Sequence, residues 1–229
     1  MNIKDYRDKE LKNYVVGMNI LLVLLNYGYI FEIDVSKETI AEIVQVAGII
    51  LPIFEALAVS AVVGVFVFVF DSIFSISVKD ILTWQRLIKK PGMKVFTKIR
   101  DYKIRDDRID YEKAKKKYKK IIANIPSGKE QYQYQNNKWY IIYNQYEDDN
   151  KILVAQRDYL LCRDMCTATA TESCAILIGM VLRLIPFGVP ILVVLAILYI
   201  MTIVATYNKA ERFCFNVIAK DLSKSKDNG

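Results

Sequence analysis

Residues 157–166 read RDYLLCRDMC, the densest group of potentially reactive side chains in the chain. Two Arg-Asp dipeptides, Arg157-Asp158 and Arg163-Asp164, stand six residues apart, and Cys162 and Cys166 stand four apart. An arginine beside a carboxylate occurs in real active sites, and neighbouring thiols can ligate a soft metal or cycle through a disulfide. The wider sequence restricts that chemistry. There is no histidine, which excludes a Ser-His-Asp or Cys-His arrangement, a histidine-ligated metal and a histidine general base. The four cysteines, Cys162, Cys166, Cys174 and Cys214, form no CxxC pair, so neither a zinc nor a thioredoxin pattern is present. They read as reduced thiols serving as small apolar residues. No paired-carboxylate metal motif, nucleophile elbow or phosphate loop accompanies them. The expectation is a protein without enzymatic activity, cofactor or metal.

The elements that would position these residues follow from the distribution of polarity. The 229 residues are 53% hydrophobic and 25% charged, a mixture of apolar blocks joined to polar ones. A bilayer needs about 20 apolar residues per helical span. Four segments meet or approach that: 14–33, 43–70, 167–186 and 189–207. RLIPFGVP separates the last two, and its prolines and glycine break helices, so those two form a hairpin. The expected fold is an all-α membrane protein with four transmembrane helices in two hairpins. A helical cytoplasmic insert, 71–166, joins the second span to the third. A soluble bundle with buried helices is the alternative. A cleaved leader at the first block is disfavoured by its missing small-residue cleavage site and its mixed charges.

Basic residues set the orientation. Residues 1–13 carry four Lys/Arg, 71–170 carry 21 against 13 acids, and the tail 208–229 carries five. The connection between the first two spans has Lys37 alone, and the turn between the last two has none. Both termini and the insert are therefore expected in the cytoplasm; the Lys/Ile/Tyr/Asn-rich composition looks bacterial, so the expected membrane is a bacterial inner membrane.

Within the insert, Asp110 precedes Tyr111, Ala114, Tyr118, Ile121 and Ile122 at helical spacing. Tyr132, Gln135, Trp139, Ile142, Tyr143 and Tyr146 repeat the pattern, although YQYQNNKWYIIY also permits a hairpin around its asparagines. EDDN at 147–150 reads as a turn and cap from which a helix runs through Tyr159 into the third span. On a helix Lys113, Lys116, Lys117 and Lys120 share one side. That side is either a solvated face or a surface attracted to anionic lipid headgroups or a cytosolic partner, the lipid attraction worth about 1 kcal/mol per lysine near a membrane. No nucleic-acid motif is present.

Small residues recur every fourth position at Cys162, Cys166, Ala170 and Cys174, and at Ala56, Ser60 and Gly64. Such ridges let helices approach closely in lipid, within or between subunits. Relative to the cysteine ridge, Asp158 and Arg163 flank the packing face while Arg157 and Asp164 point behind it. With Arg105 and Asp106, these charges are expected to form inter-helix ion pairs at the membrane surface, Asp158 or Asp106 being the acid for Arg163. Glu55, Glu172 and Arg183 are ionisable residues in apolar sequence. They are candidates for a polar path or, for Glu55 with Arg183, an intramembrane pair, against the alternative that Arg183 snorkels to the outer surface and Glu55 is protonated or near the interface.

The layout of two hairpins, with Ile43–Phe70 and Val189–Thr206 among the spans and a basic insert containing RDYLLCRDMC, resembles small bacterial multi-span membrane proteins of anti-phage defence. Those proteins accompany CRISPR, cyclic-oligonucleotide or retron systems. The resemblance covers the whole chain as architecture and no motif residue by residue. It implies an effector that arrests growth by harming membrane integrity, regulated by a partner or ligand. From the residues themselves three readings stand. The first is an oligomer that permeabilises or depolarises the membrane, gated by its cytoplasmic helices. The second is a non-conducting anchor or sensor that recruits a cytosolic protein. The third is a transporter or channel subunit.

Overall fold

The computed structural model describes residues 3–26, 69, 73–84, 88–183 and 188–224. Among these the chain is all-helical, without strands. The helices are α1 (Ile3–Asn26), α2 (Ile76–Trp84), α3 (Val95–Arg100), α4 (Tyr111–Lys117), α5 (Lys119–Ala123), α6 (Glu130–Tyr143), α7 (Asn150–Val181) and α8 (Val189–Lys224), with a 3-10 turn at Pro91–Met93. The expected span 43–70 lies outside the described residues except for Val69, and with it Glu55, Ala56, Ser60 and Gly64. The chain divides into two units: 1–83 with 163–202, and 84–162 with 203–229.

In the first unit, Met18 and Leu22 of α1, Met180 of α7, and Ile191 and Leu195 of α8 form the buried apolar cluster. The Thr-rich stretch of α7 remains helical because its hydroxyls bond back to the helix's own carbonyls. Thr167 donates to Arg163 O (3.0 Å), Thr169 to Met165 O (2.9 Å), Thr171 to Thr167 O (2.9 Å) and Ser173 to Thr169 O (2.6 Å). That satisfies groups that apolar surroundings could not.

α8 is 36 residues long and is the described helix that is long and apolar enough to cross a membrane. Only 22% of its apolar window is buried, so it is not the enclosed core helix of a soluble bundle. Val189, Val193, Ile197, Ile200, Met201 and Val204 are all exposed. They recur at three- and four-residue spacing, which makes one uninterrupted apolar stripe. Such a stripe suits contact with lipid or with another apolar surface. Ile197→Lys places a charge at the middle of the apolar stretch and should cost about 2.5–3.5 kcal/mol of insertion. The fraction of full-length chain that survives in carbonate-washed membranes should fall accordingly. In water the same exposed substitution would change stability by less than about 0.5 kcal/mol.

The second unit is built around its own core. Ala114 and Tyr118, then Trp139, Ile142 and Tyr146, are buried, as their helical spacing predicts. The asparagine-centred hairpin does not form; 130–143 is helix. Gly92 lets the Pro91–Met93 turn lie against α6, where an added Cβ would stand 3.3 Å from the Trp139 ring and 3.1 Å from Asn136 Oδ1. Trp139 stacks on Tyr143 (5.6 Å between centroids) and meets Phe213 edge-on (5.3 Å). Asp110 caps α4 by accepting from Lys113 N, and Asp149 caps α7 by accepting from Lys151 N and Ile152 N. Val95, Phe96 and Ile99 of α3 and Ile152 and Ala155 of α7 join this core, and a further part of it comes from the segment expected as a cytoplasmic tail. α8 runs unbroken to Lys224, and Phe213, Cys214, Val217, Ile218 and Leu222 form its buried face.

Candidate functional site

Two groups of buried charge and one isolated buried carboxyl stand out. The first group centres on Asp164, which is 2% exposed. Its Oδ1 faces Arg163 (3.1 Å) and Lys79 Nζ (3.5 Å), and its Oδ2 faces Arg7 Nε (3.5 Å). Lys79 is itself nearly buried. Three cations around one carboxylate tie α1 and α2 to the start of the first unit's part of α7. Five residues further along α7, the Thr169 hydroxyl is already committed to Met165 O, so Tyr14 donates to it across 2.7 Å. One turn beyond lies Glu172, 3% exposed, with neither carboxyl oxygen hydrogen-bonded among the described residues. A carboxyl in apolar surroundings with no hydrogen-bond partner is costly in its ionised form.

The second group lies in the other unit. Asp221, 5% exposed, accepts from Tyr118 Oη at Oδ2 (2.6 Å) and from Tyr146 Oη at Oδ1 (2.9 Å). Lys117 Nζ lies 2.9 Å from Oδ1. α4, α8 and the turn after α6 therefore meet at one carboxylate. Burial, and then the hydrogen bond and charge of Asp221, push the Tyr146 phenol up to about 12 and the Tyr118 phenol strongly upward. Both folded values exceed the unfolded value of about 10, so this stability is whole below pH 10 and is lost as the pH rises from there through 12. Unfolding free energy should fall over that interval by about 1.4 kcal/mol per pH unit for each phenol. Tyr146→Phe should remove one share of that slope. Denaturant titrations of the two proteins at pH 9, 10 and 11 measure it.

No family model, no curated protein and no solved structure matches this chain.

The structure corrects several expectations about individual residues. Asp164 does not point behind the packing face; it is the most buried of the RDYLLCRDMC charges, because the inward face of α7 follows Asp164, Thr167 and Ala168. The small-residue ridge follows that face only in part. Cys166 is buried, Cys162 and Ala170 are half-buried, and Cys174 is exposed. A four-residue step turns a helix about 40° past a full rotation, so three steps carry the ridge off the buried side. Arg163 pairs with neither Asp158 nor Asp106 but with Asp164 beside it. Asp158 is held by Arg157 (2.7 Å) and, between helices, by Lys209 (3.0 Å). Burial opposes ionisation of Asp158, yet those two hydrogen bonds outweigh it and hold its carboxyl below the usual range. Asp106 pairs locally with Arg108, and Arg105 is exposed.

The lysine run bends at Tyr118, where α4 ends and α5 begins. The bend seats the Tyr118 ring in the core and turns Lys117 to Asp221, while Lys116 and Lys120 remain exposed and Lys113 half-buried. Arg183 is exposed beyond the end of α7 with a left-handed φ of 59°, whereas Glu172 is buried eleven residues earlier. Glu55, the acid expected to pair with Arg183, lies outside the described residues. Sequence reasoning misses Lys79, Lys209 and Asp221; Arg7 stands out in the sequence as part of the Arg7-Asp8 dipeptide, but its acid is not legible there. Lys79 in SVKDIL is one of two adjacent charges and Arg7 in YRDKEL one of four in a row, a signal shared with ordinary interfacial lysines and arginines.

Proposed function

We propose that the chain is an oligomeric inner-membrane protein that lets ions cross the bilayer and so depolarises it, with its cytoplasmic helices setting when it does so. The four-span arrangement, 14–33, 43–70, 167–186 and 189–207 with both termini cytoplasmic, is part of this reading. It is supported by the charge distribution and by the exposed apolar stripe of α8. The observation that carries conduction is Glu172: a buried carboxyl without a hydrogen-bond partner among the described residues, inside the helix expected to form the third span. Such a group is tolerated where it meets water or cations during function. The exposed stripe, available to lipid or to a second copy, supports assembly. An effector of this kind would arrest growth, as the resemblance in layout implies.

Induced expression with a potential-sensitive dye tests the proposal. Wild type should depolarise the cells. Glu172→Gln, which keeps the volume and removes the charge, should slow depolarisation about tenfold at equal membrane abundance, equivalent to ~1.4 kcal/mol on the barrier. Induction of wild type that leaves the potential unchanged would overturn conduction and leave the non-conducting anchor.

A further inference from the structure

The second unit contains an open cleft of about 560 Å³, continuous in its lining with a neighbouring one of about 520 Å³. Its walls are one face of each long helix. Asn150, Lys151, Val154 and Asp158 come from α7; Lys209, Arg212 and Asn216 come from α8, with Lys220 one turn further; Arg108 forms the edge. The α8 positions follow three- and four-residue spacing on the side opposite the buried Cys214, Ile218 and Leu222, so the cleft is the polar counterpart of that core face. Four cations, Arg108, Lys151, Lys209 and Arg212, surround the larger cleft against one acid, Asp158.

The compensation of those charges is uneven. Lys209 is paired with Asp158 (3.0 Å), and Lys220 with Asp149 (2.8 Å). Arg108 is held by Asp106 (2.6 Å) and donates from its other terminal nitrogen to Asn216 Oδ1 (2.9 Å), which fixes its guanidinium plane at the cleft edge. Lys151 and Arg212 line the cleft, and no ion pair to either occurs among the described residues. The first backbone N–H groups of α7 are already used by Asp149 Oδ1, so the cleft's affinity for anions rests on side chains. Gathering these cations around one concave surface is unfavourable until an anion enters, and a phosphate group, with several strong acceptor oxygens, suits two uncompensated cations and a held guanidinium.

We propose that this cleft is a binding site for a compact ligand bearing two neighbouring phosphate groups, engaged by Lys151, Arg212 and Arg108. The site differs from the lysine run at 113–120 and does not depend on whether the chain conducts. Two sources carry the chemistry, a soluble diphosphate compound or a phosphorylated lipid headgroup, and separate arms distinguish them. Inorganic pyrophosphate is titrated calorimetrically into the full-length protein in neutral detergent at physiological salt. In parallel, the protein is reconstituted in nanodiscs of phosphatidylcholine with or without phosphatidylinositol 4,5-bisphosphate, and competition by pyrophosphate is read. Saturable pyrophosphate binding identifies a soluble ligand; binding seen only as retention of the phosphorylated lipid identifies the headgroup. In either arm Lys151→Gln with Arg212→Gln should weaken binding by roughly tenfold or more. Lys116→Gln with Lys120→Gln should bind as wild type. Unchanged thermal unfolding of both double variants verifies that the fold is retained. Absence of binding in both arms, or equal binding by wild type and the cleft variant, would overturn the proposal.

Discussion

Asp164→Ala is expected to destabilise the first unit by about 3–5 kcal/mol, the range for removing one partner from a buried ionic cluster. The carboxylate is 2% exposed and faces Arg7, Lys79 and Arg163 at 3.1–3.5 Å. Without it three positive charges converge at one place, and the largely buried Lys79 loses this acid. The cluster also ties the charged start of α1 to α7, so the contact from Tyr14 to Thr169 should loosen with it. Equilibrium unfolding in mixed detergent micelles measures the change. Asp164→Leu combined with Lys79→Met should recover much of the loss, because an apolar pair carries no desolvation cost. A single variant within about 1 kcal/mol of wild type would mean that the cluster is too hydrated to matter.

Asp221→Leu should have an effect of comparable size, about 3–5 kcal/mol, on the second unit. It strands two buried phenols, Tyr118 and Tyr146, whereas the exposed Lys117 keeps its bond to the backbone carbonyl of residue 221. Each unsatisfied buried hydroxyl alone costs about 1–3 kcal/mol. Asp221→Asn keeps one acceptor oxygen and should cost less than half as much. Amide hydrogen exchange across 111–146 and 210–222 reads the difference directly. Exchange in the Leu variant that matches wild type would show that apolar packing around Phe96 and Ile218 suffices without the polar pin.

Much of the second unit is legible in the sequence. Ala114, Tyr118, Trp139 and Ile142 sit where a 3.6-residue period places them, and Asp110 and Asp149 cap the helices that they precede. The tail is harder to read. Residues 210–222 follow an apolar run, and interleaved charges at Lys209, Arg212 and Lys220 make them resemble a solvated terminus. Yet Phe213, Val217, Ile218 and Leu222 keep the same period and complete the core. Ion-pair partners are illegible for a different reason. RDYLLCRDMC fixes which charges share a helix but not its rotation against others, and an error of one residue, about 100°, moves Asp164 from the back of α7 to its buried face. The three cations around it arise from segments 72 and 156 residues apart, a juxtaposition that only tertiary packing defines.

The same limit applies to the ionisable residues in apolar sequence. Charge alone marks Glu172 in the sequence, and its burial without a hydrogen-bond partner among the described residues is what sets it apart from an interfacial acid. Arg183 carries an equal charge signal and lies exposed past the helix end. Burial, not charge, separates the two.

A path for ions at Glu172 should operate with no other protein present. Purified chain in liposomes with an inward potassium gradient and a potential-sensitive dye isolates that property. Wild type should collapse the potential in proportion to the protein added, and Glu172→Gln should slow the collapse about tenfold. A potential that persists in wild-type proteoliposomes as it does in protein-free ones would contradict conduction by this chain.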